Sequence, residues 1–172
     1  FQKSKIVVVA FVGTECPLVK LYAKRLGEMH EEYGPEGVTF LGINSNRQDS
    51  ITEIAHQART AKIEFPLLKD SRNEIADRFG AQRTPEVFVL DEQRKVRYHG
   101  RIDDQYHYEI QRADAQRNYL VDALQALLAG KEIETPETET IGCHIGRILE
   151  ADESSDVTYS NQISRILQNN CV

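Results

Sequence analysis

Cys16 is the residue whose type and position most directly imply chemistry. It follows the apolar stretch 5–12 and is followed at once by Pro17. A short apolar run predicts a buried strand, and proline suits the first position of a helix. A cysteine between a strand and a helix lies at the positive end of the helix dipole, which favours the nucleophilic thiolate. The pattern therefore predicts a redox-active or peroxide-reactive thiol; the alternative is a small buried hydrophobic residue.

Two polar residues are candidate helpers of this cysteine. A hydroxyl on Thr14 could donate to the thiolate or to a peroxide oxygen, and the guanidinium of Arg83 could lower the thiol pKa. Arg83 precedes Thr84 and Pro85, which lead into a second apolar strand. The alternative interpretation makes Thr14 a turn residue and Arg83 a solvated surface charge.

Two carboxylates flank the same segments. Glu15 adjoins the cysteine and Glu86 follows the Thr-Pro pair. Facing the sulfur, they would raise its pKa because like charges disfavour the thiolate, or they could transfer protons. We favour solvent exposure for both.

Composition bounds the remaining classes of function. The chain has 172 residues, of which 28% are charged and 40% hydrophobic, and a formal net charge of −6. This acidic balance argues against binding to nucleic acid or to an anionic membrane surface. No apolar run approaches the roughly 20 residues that span a bilayer. Because the chain begins at Phe1 rather than Met, we expect a fragment or a processed form.

Strands and helices alternate along the first 130 residues. Strands are predicted over 5–12, 38–44, 65–68, 86–90 and 96–100, and helices over 17–33, 50–60, 73–79 and 117–129. In the second helix, residues Ile51, Ile54, Ala55 and Ala58 are expected to face inward. The pattern predicts an α/β fold, a mixed sheet with helices on both faces.

The chain changes character after Gly130. Residues 131–140 have little to bury and predict an extended strap, and the acidic stretch 151–156 predicts a linker. We therefore divide the chain into a domain over 1–130, a strap and linker over 131–156 and a weakly amphipathic tail over 157–172.

Residues 3–130 resemble the thioredoxin-like superfamily, in particular its redoxin, peroxiredoxin-like (AhpC/TSA) branch. The resemblance rests on the order of elements, on the segment from Phe11 to Pro17 and on Thr84-Pro85, which matches the family's cis-proline position. Three positions depart from the patterns of this superfamily. Val19 replaces the second cysteine of thioredoxins, Gly13 the threonine or serine of typical peroxiredoxins, and Lys20 the second copper-binding cysteine of Sco proteins.

The resemblance implies a thiol-dependent oxidoreductase. Cys16 would attack a peroxide or a disulfide, with Thr14, Thr84 and Pro85 shaping the pocket. A thiol reductant would complete the cycle, and no metal or organic cofactor is implied for this domain. The rival hypothesis is a catalytically silent binding or scaffold module attached to a haem domain.

Three widely spaced cysteines do not make a disulfide scaffold or a zinc cluster. Cys143 is the candidate resolving cysteine if the strap returns to Cys16; the alternative is a buried strap anchor. His144 could tune the Cys143 thiol, but neighbouring residues in a strand point to opposite faces.

Other polar residues carry weaker signals. The pair Asp103 and Asp104, with His99 and His107 nearby, could suggest a metal, but their spacing favours a solvated loop. His30 and His56 are predicted on helix surfaces.

Cys171 ends a segment that resembles the opening helix of a c-type cytochrome domain, where a Cys-x-x-Cys-His motif attaches haem. The resemblance implies covalent haem beyond the end of this chain, a cytochrome domain as partner and a location outside the cytoplasm, periplasmic or secreted. The alternative is an ordinary amphipathic tail.

Overall fold

The computed structural model describes residues 4–107, 112–149 and 154–171. The strands are β1 (Ile6–Phe11), β2 (Val38–Asn44), β3 (Leu67–Lys69), β4 (Arg83–Thr84), β5 (Glu86–Leu90), β6 (Val96–Gly100) and β7 (Cys143–His144). The α-helices are α1 (Pro17–Tyr33), α2 (Ile51–Thr60), α3 (Glu74–Phe79), α4 (Tyr119–Leu128) and α5 (Ser164–Asn170). A 3-10 turn over Gly34–Glu36 follows α1, and a π-helical turn over Tyr159–Ile163 precedes α5.

The main sheet has the order β3-β2-β1-β5-β6. β1 pairs in parallel with β2 and antiparallel with β5, and β5 and β6 form a hairpin. The predicted mixed sheet is therefore confirmed, and the hairpin strands have the predicted bounds.

Helices cover both faces of this sheet, and β1 is therefore buried on both sides. Val8 and Ala10 face a core cluster that includes α1 and α4, while Val7 and Val9 face a second cluster that includes α3. Alternate residues of a strand point to opposite faces, so one apolar run serves both layers. The helix that begins at Pro17 is thereby fixed against the sheet.

Three boundaries or faces differ from the sequence predictions. Ile51, expected to face inward, is 72% exposed, because it lies in the first turn of α2, beside the Ser50–Glu53 capping box. β3 begins after Pro66, which lacks the N–H that a ladder needs. α4 begins at Tyr119, two residues later than predicted from Arg117.

The strap runs along the sheet edge and then crosses to the cysteine. The backbone of His99 in β6 bonds to Pro136 O and Thr138 N, each at 3.0 Å, and β7 pairs antiparallel with β4. Part of the predicted acidic linker, residues 151–153, lies outside the described residues.

No helix formed by the described residues is long and apolar enough to cross a membrane.

Candidate functional site

Cys16 is the N-cap residue of α1 and has extended backbone angles, with Pro17 in the first turn. Its side chain is 3% exposed and packs in the core cluster between the sheet and α1. Its Sγ donates a hydrogen bond to the carbonyl oxygen of Thr84 at 3.0 Å. The strand-to-helix junction therefore brings the sulfur against the segment before Pro85, whose peptide bond with Thr84 is cis.

The hydroxyl oxygen of Thr84 is fully buried and has no hydrogen-bond partner among the described residues. Such a group normally finds a partner. When Cys16 is a thiolate, a hydrogen bond from this hydroxyl is among the interactions that lower the Cys16 pKa. The hydroxyl is thus placed to donate to the sulfur once Cys16 loses its proton.

The strap brings Cys143 to the same point. Cys143 lies opposite Thr84 in the ladder between β4 and β7 and is exposed. Gly142, with a φ of 152°, makes the approach possible: a Cβ there would lie 2.0 Å from Thr84 O. A glycine is therefore required at this close contact. Ile141 and Ile145, both 5% exposed, hold the strap on either side.

The two thiols affect each other in opposite directions. Burial by itself would raise the pKa of Cys16. Hydrogen bonds, first from the side chain of Cys143 and then from the backbone of Val19, outweigh burial and lower this pKa below the usual value for a thiol. Partial removal of its sulfur from water, together with the bond to Cys16 and the charge of Cys16, raises the pKa of Cys143 to about 11. Of the two thiols, Cys16 therefore has the lower pKa, and the Cys143 thiol is placed to donate a hydrogen bond to it.

Asp49 holds the turn that precedes Cys16. Its Oδ2 accepts from Thr14 N at 2.9 Å, from Asn44 Nδ2 at 2.6 Å and from Asn46 Nδ2 at 3.1 Å. The carboxylate is 3% exposed. Burial would raise the pKa of Asp49, but these hydrogen bonds lower it. Thr14 is 5% exposed and is tied to this carboxylate.

Asn46 occupies the space that a side chain at position 13 would need. A Cβ on Gly13 would lie 2.5 Å from Asn46 Nδ2 and 3.3 Å from Thr84 Oγ1. Asn46 Oδ1 also accepts from Gly146 N in the strap at 2.9 Å. A glycine at position 13 thus lets an amide lie beside the site and fasten the strap to it.

A second buried carboxylate holds the segment on the other side. Glu86 is 1% exposed; its Oε2 accepts from the N–H groups of Gln82 and Arg83, each at 2.8 Å, and its Oε1 lies 2.5 Å from His99 Nε2. Burial would raise the pKa of Glu86, but these bonds, led by the one from His99, lower it. The expected solvent exposure of Glu86 is wrong, because the backbone N–H groups before Pro85 need an acceptor that only a buried side chain supplies.

The sequence profile of the AhpC/TSA family matches residues 1–99, more than half of the chain. The chain belongs to the AhpC/TSA family.

Solved structures agree with this assignment. A hypothetical protein from Sinorhizobium meliloti is similar with 29% identity and a TM-score of 0.79, covering 87% of this chain and 83% of its own. An uncharacterised protein from Geobacillus kaustophilus has 30% identity and a TM-score of 0.79, covering 87% and 81%. A peroxidoxin from Mycobacterium tuberculosis shares the fold at 22% identity, with a TM-score of 0.55 over 74% of this chain and 82% of its own. The thioredoxin-like fold is confirmed.

No curated protein is similar enough in sequence to be matched to this chain. Membership of the AhpC/TSA family supports a thiol-dependent redox activity.

The remaining candidate residues differ in how exposed they are to solvent. Glu15 is exposed, as expected, with a side chain 85% accessible that pairs with Lys20. Arg83 is half-buried rather than a free surface charge, and its Nη1 donates to Gly142 O at 2.8 Å. His144 lies opposite Arg83 in the ladder.

Asp103 lies in a loop, as predicted, but its carboxylate is not solvated. This carboxylate is 1% exposed, accepts from Tyr22 Oη at 2.5 Å and forms an ion pair with Arg25. The two partners come from α1, far away in sequence, so local spacing did not reveal them. Asp104 instead pairs with Arg112 at 2.7 Å.

The histidines divide between surface and interior. His56 is exposed, as predicted, but His30 is half-buried, with its ring against Phe40 and Phe65. Among the described residues no three histidine, cysteine or acidic side chains are grouped as metal ligands would be.

Cys171 lies at the end of α5 and is exposed, as are Ile166 and Leu167 of the same helix. It is a free cysteine, as are Cys16 and Cys143. Its role in haem attachment stays a prediction.

Sequence reasoning missed Asp49 and Asn46, and it gave Glu86 and His99 the wrong environments. The sequence does carry a signal for the first pair: Asn44, Asn46 and Asp49 cluster where β2 ends. Polar residues at the carboxyl end of a strand in an α/β sheet tend to lie at a site.

Proposed function

We propose that this chain is a thiol-dependent oxidoreductase in which Cys16 is the attacking thiolate and Cys143 the resolving thiol. The observation that carries the proposal is the shared partner of the two sulfurs: Thr84 accepts the Cys16 S–H at 3.0 Å and pairs with Cys143 in the ladder.

With a peroxide, the Cys16 thiolate attacks one oxygen and the O–O bond breaks. Cys16 becomes a sulfenic acid, and the other oxygen leaves as an alcohol or water after taking a proton. The Thr84 hydroxyl, without a partner among the described residues, supports the charged sulfur before the attack. With a disulfide substrate, the same attack gives a mixed disulfide and releases one thiol.

Oxidation of Cys16 then activates Cys143. The negative charge of Cys16 and the hydrogen bond to it are two of the causes that hold the pKa of Cys143 at about 11. Sulfenic acid formation removes that charge, so the Cys143 pKa falls and its thiolate becomes available. Its attack on the sulfenic sulfur forms the Cys16–Cys143 disulfide and releases water.

An external dithiol restores the reduced form. Cys143 is exposed whereas Cys16 is 3% exposed, so the reductant attacks Cys143 and Cys16 leaves. The thiol with the lower pKa is the better leaving group, which favours the same direction. The second thiol of the reductant then displaces Cys143.

The experiment treats the reduced chain with one equivalent of hydrogen peroxide and follows intact mass and cysteine pairing. Loss of two hydrogens with a Cys16–Cys143 link is the expected result, and C171S, which alters an exposed cysteine elsewhere, serves as the matched control. A C143S variant should stop at the Cys16 sulfenic acid. Rapid formation of the Cys16 sulfenic acid in the unaltered chain, without a Cys16–Cys143 disulfide, would overturn the role of Cys143. It would indicate that the resolving thiol comes from another molecule.

One observation favours the rival binding or scaffold module: Cys16 is almost inaccessible while the strap is in place. On this hypothesis the fold docks a partner and Cys16 does not react. A Cys16 that ignores both peroxide and disulfide substrates would decide for the module. A cytochrome partner and a location outside the cytoplasm remain predictions of the sequence.

A further inference from the structure

The buried pair Glu86 and His99 lies outside the chemistry just described. Glu86 is 1% exposed, and both of its oxygens are engaged. The imidazole of His99 lies flat on Phe88, with ring centroids 4.3 Å apart and an interplanar angle of 9°. A buried ionised carboxylate is costly unless its hydrogen bonds are satisfied, so this pair has a well-defined geometry.

One side of the pair controls the short strand that contacts both sulfurs. Glu86 Oε2 accepts the N–H groups of Gln82 and Arg83, and Arg83 begins β4. The next residue, Thr84, accepts from Cys16 and pairs with Cys143. The position of the carboxylate therefore sets the position of the strand on which the two cysteines meet.

The other side of the pair controls the start of the strap. His99 bonds through its backbone to Pro136 O and Thr138 N, and its Nδ1 lies 4.0 Å from Glu137 Oε1. The strap is therefore held at two places: near residue 137 through His99 and at β7 through β4. Glu86 holds the backbone of β4 at one attachment, and His99 belongs to β6 at the other.

We propose that Glu86 and His99 are positioning residues that set the effective concentration of Cys143 at Cys16, and with it the reduction potential of their disulfide. The proposal rests on the proposed function, because it concerns the same two cysteines. Neither residue touches the reacting sulfurs. Holding both ends of a connecting segment makes the closing reaction effectively intramolecular, and the gain depends on how well the ends are held.

The test is the equilibrium of the full chain with glutathione, in which the protein dithiol and glutathione disulfide exchange with the protein disulfide and two molecules of glutathione. We expect E86L to lower this equilibrium constant about tenfold, which corresponds to about 30 mV for a two-electron couple. H99L should have a similar effect. H99Q should have an equilibrium constant close to that of the unaltered chain, because the amide nitrogen of glutamine can still donate to Glu86.

The matched control is D103N, which also neutralises a carboxylate that is 1% exposed but whose side-chain partners, Tyr22 and Arg25, lie on α1. It should lose stability and keep the equilibrium constant within about twofold. A positioning role predicts a changed potential at temperatures where every variant is folded, whereas a purely structural role predicts only a lower melting temperature.

The outcomes separate the two proposals. If the equilibrium constant of E86L or H99L is within twofold of that of the unaltered chain, the positioning role is overturned. The proposed Cys16–Cys143 disulfide would not be affected by that result. If E86L does not fold, E86Q, which keeps the shape and loses the charge, is compared with H99L by the same criterion. Absence of a Cys16–Cys143 disulfide in the unaltered chain would instead overturn the resolving role of Cys143 itself.

Discussion

Thr84 and Cys143 lie opposite each other in the two-residue ladder between β4 and β7. Because the carbonyl of Thr84 also accepts the Cys16 S–H at 3.0 Å, one residue connects the two thiols. The contact spans residues that are far apart in sequence, and it determines which thiol carries the charge. The reactivity of Cys16 therefore depends on how the strap and the short strand β4 are held.

Removal of the Cys143 thiol should shift the pH dependence of Cys16 reactivity to higher pH. The thiol donates to the Cys16 thiolate and lowers the Cys16 pKa, so a variant without a donor holds less thiolate at a given pH. The rate of Cys16 alkylation against pH gives the midpoint. We expect C143A to have the highest midpoint, C143S an intermediate one because its hydroxyl can donate, and C171S the unaltered one. Equal midpoints in all four proteins would contradict the assignment of Cys143 as donor.

Loss of the Thr84 hydroxyl should reduce reactivity without reducing stability. A hydrogen bond to a charged group contributes about 1.5 kcal/mol or more, so T84V should slow alkylation of Cys16 near neutral pH by about tenfold. The buried hydroxyl has no partner among the described residues, so its replacement by a methyl group should leave the free energy of unfolding unchanged or raise it. T84S, which keeps the hydroxyl, is the control. Slow reaction in T84S as well would show that the packing of the side chain at position 84, and not the hydroxyl alone, controls the reactivity of Cys16.

Neutralisation of Asp49 should destabilise the fold in a pH-dependent way. D49N leaves the N–H of Thr14 without its charged acceptor, and we expect a loss of about 1–3 kcal/mol in the free energy of unfolding at neutral pH. The native pKa of Asp49 is lowered, so its carboxylate contributes its full stability above the unfolded-state pKa of about 3.9 and loses it as the pH falls through the native value.

Chemical denaturation at several pH values tests this sign. The difference between D49N and the unaltered chain should be largest above about pH 5 and should shrink in more acidic solution. A difference that stayed constant with pH would mean that the charge of Asp49 is not what stabilises the turn.

A side chain at position 13 should loosen the strap rather than create a better peroxide site. A Cβ on Gly13 would lie 2.5 Å from Asn46 Nδ2, so G13A must displace an amide that also bonds to Gly146. We expect a loss of about 1–3 kcal/mol in stability and slower closure of the Cys16–Cys143 disulfide. G13T should be worse in both respects.

The control for this change is G34A. Gly34 has a φ of −53°, and a Cβ there would meet nothing within 4 Å, so alanine should be neutral or slightly stabilising. A G13A protein as stable as G34A, with unchanged disulfide closure, would show that Asn46 does not need this space.

The sequence by itself was enough to predict the layers of the fold and the position of Cys16 at the start of α1. Three features are local patterns: the apolar run through β1, the helix-breaking residues after α1 and the hairpin from β5 to β6. Local patterns can be recognised without knowledge of distant contacts. Cys16 before Pro17 could be placed at a helix N-terminus for the same reason.

The tertiary structure alone decided the environments of the charged groups. Glu86 and Asp103 look like surface residues in the sequence, yet each is 1% exposed because its partners come from other elements. Asn46 gave no sign that it would fill the space beside Gly13. The pairing of Cys143 with Thr84 also depends on where the strap crosses the sheet edge. Burial, hydrogen bonding and the pKa of a thiol are properties of packed neighbours, and which distant segments become neighbours is fixed only when the whole chain folds.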